Sequence, residues 1–488
     1  MAGVIIGKEK TSQLEHKIRD NKTLYYAASA FYILMLAMAI AMDAWYLIAL
    51  PFTALLFYTG WLSLPSLFFL LIASIPFSTE YQFSGTLGTD LPDEMLMLLV
   101  SAVFLFYLIQ RGRAFFQLIR HPLTIILLTM MSWSVVASLF STQPLLSLKY
   151  LLAKTWYIAA FAGAAVMVVS EKRNLKGSAL ILAFSMLVVT VMIFVRHLFA
   201  GLSFATINEA VLPFFRNHVN YSALLVCTIP LWWACRALSS SARSRNLIAA
   251  VLVFLLTALL LSYARGAWLA LLAGITAAWL IKRRSLLRGI AIVSVILVLA
   301  FAWLIRDNRY LDFAPDYNET VFHEDFREHL VATYEMNDLS AAERFYRWIA
   351  GVRMIPDHWL SGVGPGTFYH NYKPYAVPVF ETWVSDNPER STVHNYFLLT
   401  MVEQGLPGLI LLLLFCAAVL YYTQHLFHRS KDIFYKMASL ITGVIFSMIL
   451  SLNFLSDLVE TDKIGSLFFL CMGALLVIDK MTRPAVAA

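Results

Sequence analysis

Residues 394–408, HNYFLLTMVEQGLPG, join a long polar segment to the hydrocarbon run Leu409 to Leu414. His394 and Asn395 open the stretch, and Glu403 and Gln404 follow about two and a half helical turns later. The break Gly405-Leu406-Pro407-Gly408 then removes a ladder hydrogen bond and bends the chain. The pattern predicts a short polar-headed helix, a kink and a buried span. A chain that re-enters an apolar layer in this way belongs to a membrane, and the rest of the sequence agrees.

Of 488 residues, 60% are apolar and only 14% charged, and the mean hydropathy is +0.71. Soluble domains carry roughly half apolar and a quarter charged residues, so this is an integral membrane protein. Its apolar runs match the length a helix needs to cross a bilayer core, and none alternates as a barrel strand does. We expect an all-α polytopic chain with about 12–14 transmembrane helices, near 24–41, 45–60, 61–77, 94–110, 122–140, 157–170, 178–199, 218–236, 247–262, 267–281, 289–305, 407–424, 437–454 and 464–479. Four regions follow: a tail 1–22, helices 23–305, a large loop 306–393, and helices 394–488 that begin with the re-entrant half-helix. Residues 1–22 carry five basic side chains, Lys8, Lys10, Lys17, Arg19 and Lys22, without the apolar core and small-residue site of a cleaved signal peptide.

Basic residues set the orientation. With the amino terminus inside, the inside loops receive Arg111, Arg113, Arg120, Lys172, Arg173, Lys176, Arg236, Arg243, Arg245, the run Lys282 to Arg288, Arg429, Lys431 and Lys436. The short outside segments receive only Lys149, Lys154, Arg196, Arg216, Arg265 and Lys463. Both termini are therefore expected on the cytoplasmic side, with residues 306–393 outside. The net charge of +7 follows topology rather than a single patch, and nucleic acid is not an expected partner. The four cysteines, Cys227, Cys235, Cys416 and Cys471, all fall in apolar spans, in neither a disulfide nor a zinc-ligand pattern.

In the large loop, Ser340 and Glu343 have the spacing of a capping box, and Pro356 is expected to stop the helix they begin. Arg344, Arg347, Trp348 and Arg353 project from it, with Phe345, Ile349 and Val352 as its packed face. The turn Gly362-Val363-Gly364-Pro365-Gly366 precedes a dense aromatic stretch, Phe368, Tyr369, Tyr372, Tyr375, Phe380 and Trp383. Such rings serve either as interfacial anchors or as platforms for sugar faces.

Arg265, in the turn Ser262-Tyr263-Ala264-Arg265-Gly266, and Arg216, just before the span at Tyr221, place permanent charge at the edge of hydrocarbon. Each either snorkels to lipid phosphate or holds an anionic ligand; with Arg344 or Arg347 on the same face, the guanidinium forks suit a diphosphate. His394 either caps a helix start or takes a proton from a hydroxyl near neutral pH. Glu403 and Gln404 read as structural acceptors for an arginine. Asp307, Asp312, Asp316, Glu324 and Asp325 are scattered among aromatics, so neither a metal nor another cofactor is implied.

His394-Asn395, nine residues, Gly405, two residues and Gly408 resemble the signature of bacterial O-antigen ligases, and Arg265-Gly266-Ala267-Trp268-Leu269 resembles that family's arginine and leucine motif. The Gly362 to Phe368 turn is similar to the glycine-rich element of the wider ligase and polymerase superfamily; Arg216-Asn217 and the Ser340 to Val352 helix match more loosely. The resemblance covers Arg216 to Leu414 and implies a GT-C-type glycosyltransferase architecture in the bacterial inner membrane, with one large periplasmic loop domain. It implies a metal-independent, inverting transfer of glycan from an undecaprenyl-diphosphate carrier to lipid A core, facing the periplasm. Arg265 and Arg216, helped by Arg344 or Arg347, would hold the diphosphate, His394 would take the acceptor proton, and Asn395 would orient the imidazole or a sugar. A polymerase acting on lipid-linked repeats, a ligase delivering glycan to protein, and a lipid-glycan flippase are the rival readings. The flippase is disfavoured because no inverted repeat or paired broken helices stand out.

Overall fold

The computed structural model describes residues 63–84, 87–110, 119–313, 339–382, 385–387 and 390–483. The tail Met1 to Lys22, the spans 24–41 and 45–60, Arg111, Arg113, Asp316, Glu324, Asp325 and Trp383 lie outside the described residues. Phe68 to Ala488 form one compact unit.

Among the described residues, ten helices are long and apolar enough to cross a bilayer. In chain order the α-helices longer than two turns are α1 Leu64–Ser74, α2 Asp93–Gln110, α3 Pro122–Leu139, α4 Pro144–Val168, α5 Lys172–Phe199, α6 His218–Leu238, α7 Ala242–Leu260, α8 Arg265–Lys282, α9 Leu286–Ile305, α10 Leu339–His358, α11 Tyr396–Arg429, α12 Ile433–Phe454 and α13 Asp462–Thr482. Within a bilayer every backbone polar group must be satisfied inside its own segment, which is why apolar runs of this length become helices. Each expected span from 61–77 onward overlaps one of these thirteen helices, α1 and α8 being outside the ten, and the chain is an all-α polytopic membrane protein. A small antiparallel hairpin, β1 Thr79–Ser84 and β2 Leu87–Leu91, pairs Thr79 with Leu91 between α1 and α2.

Local chemistry sets the helix starts. Pro122 and Pro144 occupy first positions, where the missing N–H costs no bond. Asn217 accepts from the amides of Val219 and Asn220 at 3.1 and 3.0 Å, capping α6, and Asp432 accepts from Phe434 N at 2.7 Å, capping α12. At the centre, α12 packs against α8, α11, α6 and α13, while α13 lies along a π-helical turn, Ile158–Ala164, inside α4.

Two expectations change here. The span placed at 157–170 begins at Pro144, so Lys149 and Lys154 sit inside a helix rather than in an outside loop. The face of α10 expected from Phe345, Ile349 and Val352 is only half-buried. Its buried face is Ala342, Glu343, Tyr346, Arg347, Ala350 and Met354, because Glu343 and Arg347 neutralise one another there.

Candidate active site

His394 lies at the mouth of α11 with φ 52°, a left-handed conformation uncommon outside glycine. The strain is held from both sides: Tyr396 N donates to Ser456 O at 3.0 Å, and Asn395 accepts from Leu398 N at 3.0 Å as the cap of α11. The side chain of Asn395, expected to orient the imidazole or a sugar, therefore serves the backbone. The imidazole is one-third exposed, and its Nδ1 faces Asp457 Oδ1 at 3.6 Å. Thr392 donates to the other oxygen of the same carboxylate. Burial pushes the Asp457 carboxyl up, but the nearby His394 ring and the Thr392 hydroxyl outweigh it, leaving the group below its ordinary value.

Sequence reasoning missed Asp457. It stands in the short connection between α12 and α13, sixty-three positions beyond His394, and no spacing rule links the two. The only signal available was an acidic residue in a short turn between two apolar spans.

The kink of α11 falls at Gly405, with φ 68° and ψ −175°, a region open essentially to glycine alone. Against this break docks the turn Gly362 to Gly366. Val363 N donates to Val402 O, and Gly364 N to Glu403 O, both at 3.0 Å, while Leu406 N donates to Trp359 O at 2.7 Å. The backbones touch so closely that a Cβ on Gly362 would lie 2.2 Å from Glu403 C, and one on Gly405 would lie 2.1 Å from Leu360 O. The Glu403 side chain completes the joint: its two oxygens accept Gly366 N at 2.8 Å and Phe368 N at 3.0 Å. Gln404 accepts Ser134 Oγ at 2.7 Å through its side chain and Trp133 Nε1 at 2.8 Å through its carbonyl. Neither residue serves an arginine, as the sequence had suggested. An orphaned turn of amides lies nearer and needs an acceptor.

Arg265 is the first residue of α8, and Arg216 stands one residue before the cap of α6. The two turns are linked by aromatic contacts: Tyr263 meets Phe204 at 5.8 Å and Phe204 meets His218 at 5.9 Å, edge-on in both cases. Tyr263 also donates to Leu202 O at 2.6 Å, tying the Arg265 turn to the connection that follows α5.

The third arginine element differs from expectation. Ser340 lies inside α10 rather than capping it, and its hydroxyl accepts Arg344 Nη1 at 2.9 Å. Glu343 is a buried carboxylate that accepts Arg347 at 3.0 Å, Thr382 at 2.5 Å and Ser385 at 2.6 Å. Arg347 is thus buried in an ion pair with Glu343, whose carboxylate also fastens α10 to Thr382 and Ser385. Pro356 does not stop α10, which runs on to His358. This far along the helix the missing N–H costs one bond near an end that is closed by Gly362 N on His358 O at 2.9 Å. Phe368, Tyr372 and Phe380 are buried, with Phe368 and Tyr372 stacked at 5.1 Å. They form the core of the loop and cannot meet a sugar; Tyr369 and Tyr375 stay partly exposed.

A cavity of about 820 Å³ opens beside Arg216. Its walls include Glu80, Glu94, Asn220, Glu460 and Lys463. Residues Asp457 to Lys463 therefore run from His394 to the wall that Arg216 shares. Lys154 and Lys463, which sequence reasoning placed in short outside segments, are both buried. Lys154 meets Glu460 at 3.0 Å and Val459 O at 3.4 Å; burial pushes the Glu460 carboxyl up, and Lys154 offsets part of that rise. Carboxylate oxygens of Asp90, Asp93 and Asp462 lie within 4.8 Å of one another, a donor set chemically suited to a hard cation. The Lys463 ammonium interacts with all three and supplies positive charge there.

Residues 250–413 match the family model described as O-antigen ligase, Wzy_C. The match takes in Arg265, α10, the glycine turn, His394 and the kink at Gly405. Arg216 and Asp457 fall outside it. Among curated proteins, none matches the chain.

Proposed function

With an O-antigen ligase domain over residues 250–413 as premise, we propose that this protein transfers a glycan from an undecaprenyl-diphosphate carrier to lipid A core, at the periplasmic face of a bacterial inner membrane with both termini in the cytoplasm. The observation that carries the reading is the His394 imidazole, partly open to solvent and facing Asp457 through Nδ1 at 3.6 Å. That leaves Nε2 for the acceptor hydroxyl. As the hydroxyl oxygen attacks the anomeric carbon, Nε2 takes its proton, and Asp457 holds the ring and stabilises the imidazolium that forms. The bond from the anomeric carbon to the diphosphate oxygen breaks on the opposite face, inverting the configuration.

The electron pair leaves with the diphosphate. Arg265 and Arg216, with Arg344 alongside, meet the growing charge with fixed guanidinium groups, so the GT-C-type chemistry here runs on arginine and needs no metal. Purified protein in detergent, given a lipid-linked glycan with and without lipid A core, tests the proposal. Transfer to core is expected, and Arg265→Ala and His394→Ala each abolish it while the protein stays folded. Chain lengthening without core would instead make it a polymerase, and an absence of any transfer in detergent would favour a transporter.

A further inference from the structure

We propose that Lys463 is a positioning residue for Arg216, fixing the loop that presents the guanidinium to the donor diphosphate. The inference rests on the reading of Arg216 as a diphosphate contact. An ammonium has three donors and no acceptor. Lys463 Nζ directs all three at backbone carbonyls: Ile75 O at 3.2 Å, Ser78 O at 2.8 Å and Phe214 O at 2.8 Å. Its charge also lies 4.5 Å from the centre of the Phe215 ring, a cation–π distance.

The consequences converge two residues on. Phe214 is held by its carbonyl on Lys463 and by its ring against Phe77 at 6.2 Å. Phe215 is held by its ring under the ammonium and against Tyr221 at 5.5 Å. Asn217, on the other side, is fixed as the cap of α6. Arg216 is the exposed residue between these anchors, and it lines the cavity. Lys463 is itself six positions beyond Asp457. The short connection that carries the carboxylate facing the proposed base therefore leads directly into the first turn of α13, which carries the ammonium that holds the proposed diphosphate arginine. A geometric tie of this kind is what holds attacking and leaving groups in register.

A lysine that only satisfied buried carbonyls would cost the same whether or not Arg216 is present, so a double-mutant cycle separates the two roles. Transfer from an undecaprenyl-diphosphate-linked glycan is measured for wild type, Lys463→Met, Arg216→Ala and the double variant, with thermal unfolding in detergent alongside. The expected result is a fall in kcat/KM of roughly 10- to 100-fold on Lys463→Met that shrinks to less than about twofold in the Arg216→Ala background. An equal loss in both backgrounds overturns the proposal. Lys463→Gln, which keeps two N–H donors, carries the same cycle should Lys463→Met not fold; failure of both to fold marks a stability residue and overturns it as well. Absence of transfer by wild type would strike the function reading instead, and a neutral Arg216→Ala would strike the role of Arg216.

Discussion

At the residue scale, the His394–Asp457 pair is the most exposed to test. Loss of a positioned base costs about 10²- to 10⁴-fold in rate, and His394→Ala is expected to fall in or beyond that range in a glycan-transfer assay. Asp457→Asn keeps the shape but removes the charge that holds the imidazolium, so its transfer rate falls too, with little change in donor KM. The pH dependence follows from the depressed Asp457 carboxyl. A group whose folded pKa lies below its unfolded value of roughly 4 stabilises the protein above that value and loses the effect as pH falls through the folded pKa. The stability gap between wild type and Asp457→Asn, read by thermal unfolding, is expected to close as pH falls below about 4. Arg347 makes a contrasting case. Removing one partner of a buried ion pair costs about 3–5 kcal/mol, so Arg347→Ala is expected to lower the unfolding temperature sharply, as a loss of fold rather than of donor affinity.

At the element scale, the decisive joint is the break in α11 against the Gly362 to Gly366 turn. Two backbone hydrogen bonds from Val363 and Gly364, a third from Leu406 to Trp359 just before the turn, and the two acceptances by Glu403 fix this segment on the kink. Gly405→Ala adds a methyl where Leu360 O already stands, in a backbone region costing about 1–3 kcal/mol for other residues. Both Gly405→Ala and Gly362→Ala are expected to reduce folded yield and to impair transfer together, since the start of α11 carries His394. A Gly405→Ala variant with wild-type unfolding temperature and rate would refute the rigidity of this joint. The kink itself was legible from Gly405, Pro407 and Gly408, whose backbone chemistry is local. That a turn from the preceding loop plugs it was not, since Gly362 and Glu403 carry no mark of each other in sequence.

At the scale of the whole molecule, the charge asymmetry predicts that Arg283→Cys and Arg390→Cys react with a membrane-impermeant maleimide from opposite sides of intact cells. Cys227, Cys416 and Cys471 are buried and Cys235 is half-buried, so a Cys235→Ser background removes the native thiol most open to label. Labelling of both positions from one side would overturn the topology. By itself, the sequence determined the membrane class, the helix positions from 61–77 onward apart from the start of α4, the kink at Gly405 and the polar groups at His394, Arg265 and Arg216. Each of these follows from hydropathy, backbone chemistry or the cost of charge at an apolar boundary, all of which act over a few residues. Tertiary structure alone decided which polar group meets which: Asp457 with His394, Glu343 with Thr382 and Ser385, Glu403 with the glycine turn, and Lys463 with the carbonyls before Arg216. Those pairings join helices distant along the chain, and a buried charge takes whichever partner the packing brings within a few ångströms, which no linear spacing encodes.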